Sequence, residues 1–422
     1  MSAEMQTRIT TNEKADSWWV EISREQWYAL AAGQIGYALD AFDVLLYVFC
    51  ITTIMKEWNL QPGMAGLMVT ITLFASSFGG IAFGTISDKI GRKKSMILAI
   101  LLFSVFSGLS GFAQNLWHLA LARAVVGIGM GGEWSASALL VAETWPREHR
   151  GKAIGIMQSG WSLGYILAAV AAALILPEYG WRVMFFLGII PALFTVWVRT
   201  KVKEPEIWLK SKNEKRITHK SSFLEIFQGG LLKKTIYSTI IASFVMFAYW
   251  GLFSWLPGYL GSPVSQGGAG LSLVKAPLWT IPLMVGAFFG YILFGFIADK
   301  YGRRPTFAFY LLMSAVLVYV YGRTRNETYL MLLGPFIGFF GSGYFSAFGA
   351  FISELFPTRN RGSAVGFCYN TGRMISALAP TVIGYFATSY GLGGALTITA
   401  AAFVMGAFSI YLLPETCGTD LT

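Results

Sequence analysis

Five charged residues fall inside stretches of sequence that are otherwise apolar: Asp40, Asp43, Arg123, Glu133 and Arg373. A charge at the centre of a bilayer costs about 2.5–3.5 kcal/mol on insertion scales, so each of these must face a wet cavity or a partner. Asp40 and Asp43 share a helix face, and two close carboxylates in a low-dielectric site cannot both ionise cheaply. We therefore predict that they carry protons, with Arg123 as the partner of a deprotonated carboxylate and Glu133 as a further candidate. The alternative is a buried ion pair of Arg123 with Asp40 or Asp43 that fixes two helices.

Arg373 is the candidate for binding a substrate. Its guanidinium is always charged, and its planar fork fits a carboxylate through two parallel hydrogen bonds. Tyr369 and Asn370 precede it by four and three residues, so all three point the same way. Arg373 lies about eleven residues past Gly362, or roughly 16 Å along a helix, which places it near the middle of a membrane. The alternative is an ion pair at the cytoplasmic end or between helices.

A polar stripe on one apolar stretch supplies further candidates for lining a substrate path. Gln158, Trp161, Ser162 and Tyr165 follow the spacing i, i+3, i+4 and i+7 of one helix face. Tyr344 is a candidate from a later stretch, although aromatic residues in such stretches more often serve packing.

These residues lie in apolar stretches that are long enough to form membrane-spanning helices. The chain is 55% hydrophobic and 13% charged, which is too apolar for the surface of a soluble protein of this length. A spanning helix needs roughly 20 mostly apolar residues. Twelve stretches meet this requirement, near 27–52, 64–87, 95–113, 116–142, 152–176, 181–199, 235–260, 277–298, 306–322, 328–353, 363–388 and 393–413. The sequence therefore predicts an all-α membrane protein.

The sequence also repeats itself at an offset of 211 residues, half of its 422 residues. The stretch from Gly84 to Lys94 returns as Gly295 to Pro305, and Glu143 to Gly151 returns as Glu354 to Gly362. Two equal halves of this kind are typical of a two-bundle membrane transporter. The predicted organisation is a tail (1–26), a six-helix bundle (27–200), a linker (201–234), a second six-helix bundle (235–413) and a tail (414–422).

Basic residues mark the orientation. If every stretch crosses the membrane, 22 Lys and Arg residues lie in connections on one side, against five on the other. The positive-inside rule makes the basic side cytoplasmic and places both tails there. The net charge of +10 is thus an orientation signal rather than a sign of nucleic-acid binding. The polar first 26 residues do not resemble a cleavable signal peptide, and the three cysteines do not have metal-site spacing.

The repeated charged turns predict a gate on the basic side. A carboxylate at the end of a span can meet the positive N-terminus of a helix from the other half, and an arginine can pair with a glutamate at the end of a neighbouring span. The alternative is that these charges only mark topology. The predicted gate residues form four duplicated pairs: Asp88 and Asp299, Arg92 and Arg303, Glu143 and Glu354, and Arg150 and Arg361.

The two Gly-x-x-x-Asp-x-x-Gly-Arg-[Lys/Arg] turns resemble the signature of the major facilitator superfamily. This resemblance covers nearly the whole chain and implies twelve helices, a central cavity and rocker-switch alternating access. The stretch from Gly127 to Ala138 is similar to bacterial metabolite:proton symporters. The Asp40-Ala-Phe-Asp43 segment resembles the Asp-Gly-[Phe/Tyr]-Asp of aromatic-acid and sialate symporters, with Ala41 in place of glycine. In related carriers an arginine at the place of Arg373 is expected to meet the substrate carboxylate.

These observations predict proton-coupled uptake of a small organic anion, such as lactate, sialate, or an aromatic or sugar acid. The expected location is a bacterial inner membrane, the expected functional form is a monomer, and a proton gradient rather than a cofactor would supply the energy. The alternative substrate is a sugar or other neutral metabolite, with Arg373 structural. A channel would need a ring of charges along its pore. An enzyme would need a metal cluster, a nucleophile elbow or a phosphate loop, and the sequence offers none of these.

Overall fold

The computed structural model describes residues 22–146, 150–206, 208–209, 224–357 and 361–416. These residues form helices and connections, with no β-strand among them. The helices of the first half are α1 (Arg24–Trp58), α2 (Pro62–Ile90), α3 (Arg92–Ser110), α4 (Leu116–Thr144), α5 (Arg150–Phe186) and α6 (Ile190–Lys201). The helices of the second half are α7 (Gly229–Gly261), α8 (Thr280–Tyr301), α9 (Arg303–Tyr321), α10 (Glu327–Gly343), α11 (Phe345–Glu354), α12 (Arg361–Ser376) and α13 (Ala379–Ser409).

Local sequence explains where the first long helix begins and ends. Ser23 Oγ accepts the Gln26 N–H at 3.3 Å, and Gln26 Oε1 accepts the Ser23 N–H at 2.7 Å, which is a capping box. The helix ends at Asn59, which adopts the left-handed conformation with φ 50°. The apolar stretch predicted at 27–52 is therefore the centre of a longer helix.

Ten helices in the described part of the chain are long and apolar enough to cross a membrane. Two of these continuous helical stretches, Lys152–Lys201 and Ala364–Leu412, reach 50 and 49 residues. Each contains one glycine in the left-handed region, Gly180 with φ 74° and Gly391 with φ 69°, where two helices meet at a kink. Each stretch thus holds two of the predicted spans. The two glycines are themselves 211 residues apart, so the kink belongs to the repeat.

Close backbone contacts between helices also repeat. In the first half, a Cβ added to Gly127 on α4 would collide with the carbonyl oxygen of Thr72 on α2. In the second half, a Cβ on Gly338 of α10 would collide with the carbonyl oxygen of Leu283 on α8. Gly127 and Gly338 are 211 residues apart, and so are Thr72 and Leu283, so the same contact occurs in both halves. Small residues let helices approach this closely in lipid, where apolar side chains alone do not drive helices together.

The two repeated turns end in glycines with positive φ, 107° at Gly91 and 97° at Gly302. Behind each turn a carboxylate accepts backbone N–H groups at the start of the next helix. Glu204 accepts those of Arg92 and Lys93 at 2.8 and 3.2 Å. Glu415 accepts the backbone N–H groups of the corresponding residues of α9 at 2.8 and 3.0 Å. The end of the last helix of each half is thereby tied to the turn between the second and third helices.

Removal of these caps is expected to lower stability. Glu204→Ala and Glu415→Ala each leave helix N-terminal N–H groups without their carboxylate, at a cost of about 1–2 kcal/mol. Thermal unfolding of the purified protein in detergent should show a midpoint lowered by a few degrees for each variant. Glu178→Ala, which removes an exposed carboxylate, is the matched control. Unchanged midpoints in both cap variants would contradict this role.

The two halves contact each other at the end of the molecule opposite the charged turns. Thr70 Oγ1 and Thr381 Oγ1 lie 2.7 Å apart. A Cβ on Gly66 would collide with the carbonyl oxygen of Pro380, and one on Gly384 would collide with the backbone of α2. We call this end the far face and the end with the charged turns the basic face. The contacts form a seam of backbone against backbone that closes the far face.

The halves separate toward the basic face. Gly155, Gly349 and Gly366 lie on helices of both halves, in the part nearer the charged turns. Within the described chain, no atom outside the helix's own backbone lies within 4 Å of the place that a Cβ would take on any of them. The interior between the halves therefore opens toward the basic face.

Candidate functional site

A cavity of about 450 Å³ lies between the two halves, near the middle of the long helices. Seven helices contribute to it, and seven of its eleven lining residues are aromatic. The lining residues are Tyr37, Met130, Gln158, Trp161, Met246, Tyr249, Trp250, Tyr291, Phe345, Tyr369 and Arg373. Because Gly155, Gly349 and Gly366 lie on the same faces of α5, α11 and α12, nearer the basic face, the cavity opens in that direction.

Arg373 is the cationic residue of this wall, and its side chain is 5% exposed. Its Nη2 lies 3.5 Å from Tyr369 Oη, and its Nη1 has no hydrogen-bond partner among the described residues. The guanidinium carbon lies 5.1 Å from the ring centre of Tyr369 and 5.6 Å from that of Trp134. None of the described carboxylates forms an ion pair with it. The structure therefore does not support the alternative of an interhelical ion pair, and leaves the guanidinium available to an anion.

A stacked aromatic pair joins the two halves beside Arg373. The rings of Trp134 on α4 and Tyr369 on α12 are 4.8 Å apart and 5° from parallel. Trp134 Nε1 donates to Gln158 Oε1 at 3.3 Å. The indole is thus fixed by a hydrogen bond to α5 and by stacking on Tyr369 of α12. The pair lies one helical turn from Met130 and Arg373 toward the basic face, and it narrows the cavity there. Trp134 appeared in the sequence only as part of a motif and was not predicted as a site residue.

Aromatic residues also close the other end of the cavity. The rings of Trp161 on α5 and Trp250 on α7 lie 5.6 Å apart at 87°, and Tyr37 packs on Trp161 at 5.3 Å. The sequence alone did not distinguish five of the lining residues, Tyr37, Met130, Met246, Tyr291 and Phe345, from other apolar residues of the spans. Helical spacing offered one clue, because Tyr37 precedes Asp40 by three residues and shares its face.

The remaining predicted lining residues lie near the cavity but not in its wall. Asn370 Nδ2 donates to the backbone carbonyl of Gly366 at 2.9 Å. Ser162 and Tyr344 are fully buried, and Tyr344 packs on Phe345 with ring centres 4.7 Å apart. Tyr165 lines a narrow extension of the cavity. Their roles in substrate binding stay predictions.

The four other charged residues of the spans lie on α1 and α4, and each is at most 1% exposed. Glu133 Oε1 accepts the hydroxyl of Ser137 at 2.6 Å, and its carboxylate lies against Gly36, one turn from Asp40. Arg123 Nη2 donates to the backbone carbonyl of Val44 at 3.5 Å. In the described structure neither oxygen of Asp40 has a hydrogen-bond partner, Asp43 lies beside the hydroxyl of Ser107, and neither aspartate forms an ion pair with Arg123.

This arrangement differs from the buried ion pair that the sequence left open as an alternative. Arg123 instead lies over the ring of Phe185, with its guanidinium carbon 5.9 Å from the ring centre. Asp43 lies beside Ser107 of α3, and both side chains lie against Gly188.

The charged turns make their ion pairs within each half. Arg92 binds Glu143 through two hydrogen bonds, from Nε at 2.9 Å and from Nη2 at 2.7 Å. In the second half Arg303 Nη2 lies 3.3 Å from Glu354 Oε1. Both pairs are formed in a conformation that is open at the basic face. The side chains of the other predicted gate residues, Asp88, Arg150, Asp299 and Arg361, lie outside the described part of the structure.

A comparison with family models decides the family. The model of the Major Facilitator Superfamily matches residues 35–290 and 265–417. The chain belongs to the major facilitator superfamily.

Relatives within this superfamily carry organic acids. The cis,cis-muconate transport protein of Acinetobacter baylyi is 32% identical over 89% of this chain and 92% of its own. The sialic acid transporter NanX of Escherichia coli is 33% identical over 92% of this chain and 94% of its own. A crystal structure of a bacterial homolog of the human lysosomal transporter Spinster, in an inward-facing and unoccupied conformation, has a similar fold. Its TM-score is 0.73, at 19% identity over 92% of this chain and 96% of that one.

The superfamily membership confirms several predictions made from the sequence. The protein is a multi-span membrane transporter, related to carriers of organic acids, and not an enzyme. A location in a bacterial inner membrane agrees with these relatives.

Proposed function

We propose that this superfamily member transports a small organic anion, a carboxylate, together with protons. The observation that carries the proposal is Arg373, a buried guanidinium on the wall of the central cavity whose Nη1 has no partner in the part of the chain that the structure describes. Burying an unpaired charge is costly, and a substrate carboxylate is the partner whose geometry fits this group. The acids named for the relatives support the same class. A neutral substrate would leave Arg373 without a counter-charge.

We assign the proton to the acidic cluster of α1 and α4, which consists of Asp40, Asp43 and Glu133. These carboxyl groups are buried, and in the described structure Asp40 lacks a hydrogen-bond partner while Asp43 lies beside the hydroxyl of Ser107. A carboxyl group in such surroundings is more stable when neutral than when charged. Arg123 is near enough to stabilise a deprotonated carboxylate after a small rearrangement. The cluster lies in the first half, whereas Arg373 lies in the second. The proton and the substrate would therefore bind on opposite sides of the interface between the two halves, which rearranges during transport.

Movement of the two halves would carry the substrate across. Support comes from the seam of backbone contacts at the far face and the open basic face. The Spinster homolog with a similar fold is described as inward-facing. We therefore propose rocker-switch alternating access with the basic face and both termini in the cytoplasm, twelve crossings and a monomer as the transporting unit. The charged turns Arg92–Glu143 and Arg303–Glu354 would keep each half rigid during this motion.

A matched set of acids and amides tests the substrate class. Thermal unfolding of the purified protein is measured with lactate, sialate, benzoate and nicotinate, each beside its neutral amide. Because a ligand stabilises the state that it binds, at least one acid should raise the midpoint, and its amide should leave the midpoint unchanged. An amide that stabilises the protein as much as the acid would contradict an anion site.

A further inference from the structure

A narrow extension of the central cavity continues toward the far face. It has about 190 Å³ between the atoms that line it, and it shares the walls of Trp161, Tyr249 and Trp250 with the central cavity. Its further lining residues lie about one helical turn closer to the far face, among them Tyr165 on α5 and Ser254 on α7. The extension lies between the two halves, because α5 belongs to the first and α7 to the second.

Three residues that line this extension carry a hydrogen-bond donor without a partner among the described residues: Trp161 Nε1, Tyr165 Oη and Ser254 Oγ. Their side chains are 4%, 0% and 1% exposed. Buried donors are almost always paired, because an unpaired donor loses its hydrogen bonds to water without replacement. In this conformation the extension is narrower than a water molecule. The donors can therefore gain partners only when the halves part and widen the extension.

The chemistry of the extension selects its partner. Its walls are mainly apolar, including Leu45, Val48 and Phe253, its polar groups are neutral, and none of the described residues that line it is charged. A second carboxylate would be buried there without a cation, which is unfavourable. A neutral acceptor, such as a carbonyl or ether oxygen, would satisfy the donors without that cost. The aromatic walls shared with the central cavity favour a flat, unsaturated body between the two ends of the ligand.

We infer that this extension is a second subsite, which binds the far end of the substrate once the halves part at the far face. The inference rests on the proposed function, in which Arg373 holds a carboxylate. The substrate is then a flat monocarboxylate whose other end carries a neutral hydrogen-bond acceptor. Tyr165 and Ser254 donate to the two lone pairs of that acceptor, and dicarboxylates and plain hydrocarbon acids bind less well.

Three ligands of similar size test this assignment by calorimetry on the purified protein. They are 4-acetylbenzoate with a neutral acceptor, 4-isopropylbenzoate of similar shape without one, and terephthalate with a second carboxylate. A gained hydrogen bond corresponds to about fivefold to tenfold in affinity. The acetyl compound should bind more tightly than the isopropyl compound by this factor, and terephthalate should bind most weakly.

Two variants and one matched control locate the effect. Tyr165→Phe and Ser254→Ala each remove a hydroxyl and keep most of the shape, so each should reduce the preference for the acetyl compound, and the double variant should abolish it. Binding of the isopropyl compound should change less than twofold. Ser238→Ala is the control, because this serine is also buried and unpaired on α7 in the described structure but lines neither the extension nor the central cavity.

The outcomes separate this inference from the proposed function. If the acids bind and depend on Arg373, but the acetyl preference is absent or survives in the double variant, the subsite is wrong and the anion site stands. Terephthalate as the tightest ligand would also overturn the subsite. Acids that bind equally well to Arg373→Ala would overturn the proposed function itself. If none of the three acids binds, the substrate class inferred here is wrong.

Discussion

Replacing Arg373 by alanine should weaken the binding of a carboxylate ligand by about 100-fold or more. Two charge-assisted hydrogen bonds are lost, at about 1.5–3 kcal/mol each, and the ligand carboxylate is left in an aromatic cavity without a counter-charge. Arg373→Lys keeps the charge but lacks the planar fork, so it should recover only part of the affinity. Isothermal titration of the purified variants with an acid that stabilises the wild-type protein measures both effects.

A second arginine provides the matched control for this experiment. Arg323 is exposed, and its guanidinium lies 3.6 Å from the ring centre of Tyr319, away from the cavity. Arg323→Ala should bind the ligand with wild-type affinity. Gel filtration establishes that each variant is folded, and Arg373→Lys keeps the test informative if the alanine variant is unstable. Wild-type affinity in a folded Arg373→Ala protein would remove Arg373 from the site.

Replacing Asp43 by asparagine should abolish the accumulation of substrate that a proton gradient drives. Asparagine has nearly the same shape as aspartic acid but cannot carry a proton, so substrate and proton movements become independent. A difference of one pH unit corresponds to about 1.36 kcal/mol per proton, or up to tenfold accumulation for one proton. Proteoliposomes with an alkaline interior should show this accumulation for the wild type and none for the variant.

Exchange of substrate across the same membranes separates coupling from binding. Counterflow requires only that the loaded transporter change conformation, so Asp43→Asn should retain it. Asp40→Asn is measured in the same way to decide which aspartate carries the proton. Glu327→Gln, which alters an exposed carboxylate paired with Lys275, should behave as the wild type. Continued accumulation along a proton gradient in both aspartate variants would rule out this cluster as the coupling site.

The sequence was sufficient to find the charges of the site, for a physical reason. A charge within an apolar span is expensive, and nearly all other basic residues are accounted for by the orientation of the chain. Arg373 and Arg123 therefore stand out by elimination. The acidic residues Asp40, Asp43 and Glu133 stand out in the same way, and the structure places all five in the interior.

The aromatic residues of the site could not be predicted from the sequence in this way. A tyrosine or tryptophan in a span is equally compatible with a cavity wall, a helix contact and the lipid boundary. Tyr37, Tyr291 and Trp134 are distinguished only by which way their helices are turned, which depends on contacts distant in sequence. The caps at Glu204 and Glu415 are a different case. They lie 211 residues apart, so the repeat in the sequence already marks them as a pair.

The seam at the far face has a consequence for the kinetics of transport. Its contacts at Gly66, Pro380 and Gly384 join backbone to backbone, and backbone groups cannot reorient as side chains can to keep contact while the helices part. Packed surfaces of this kind switch between discrete arrangements instead of deforming continuously. The first ångström of separation then costs most of the contact energy, including the Thr70–Thr381 hydrogen bond. The parting of this seam becomes a sharp barrier, and turnover should depend steeply on temperature even when substrate and protons are saturating.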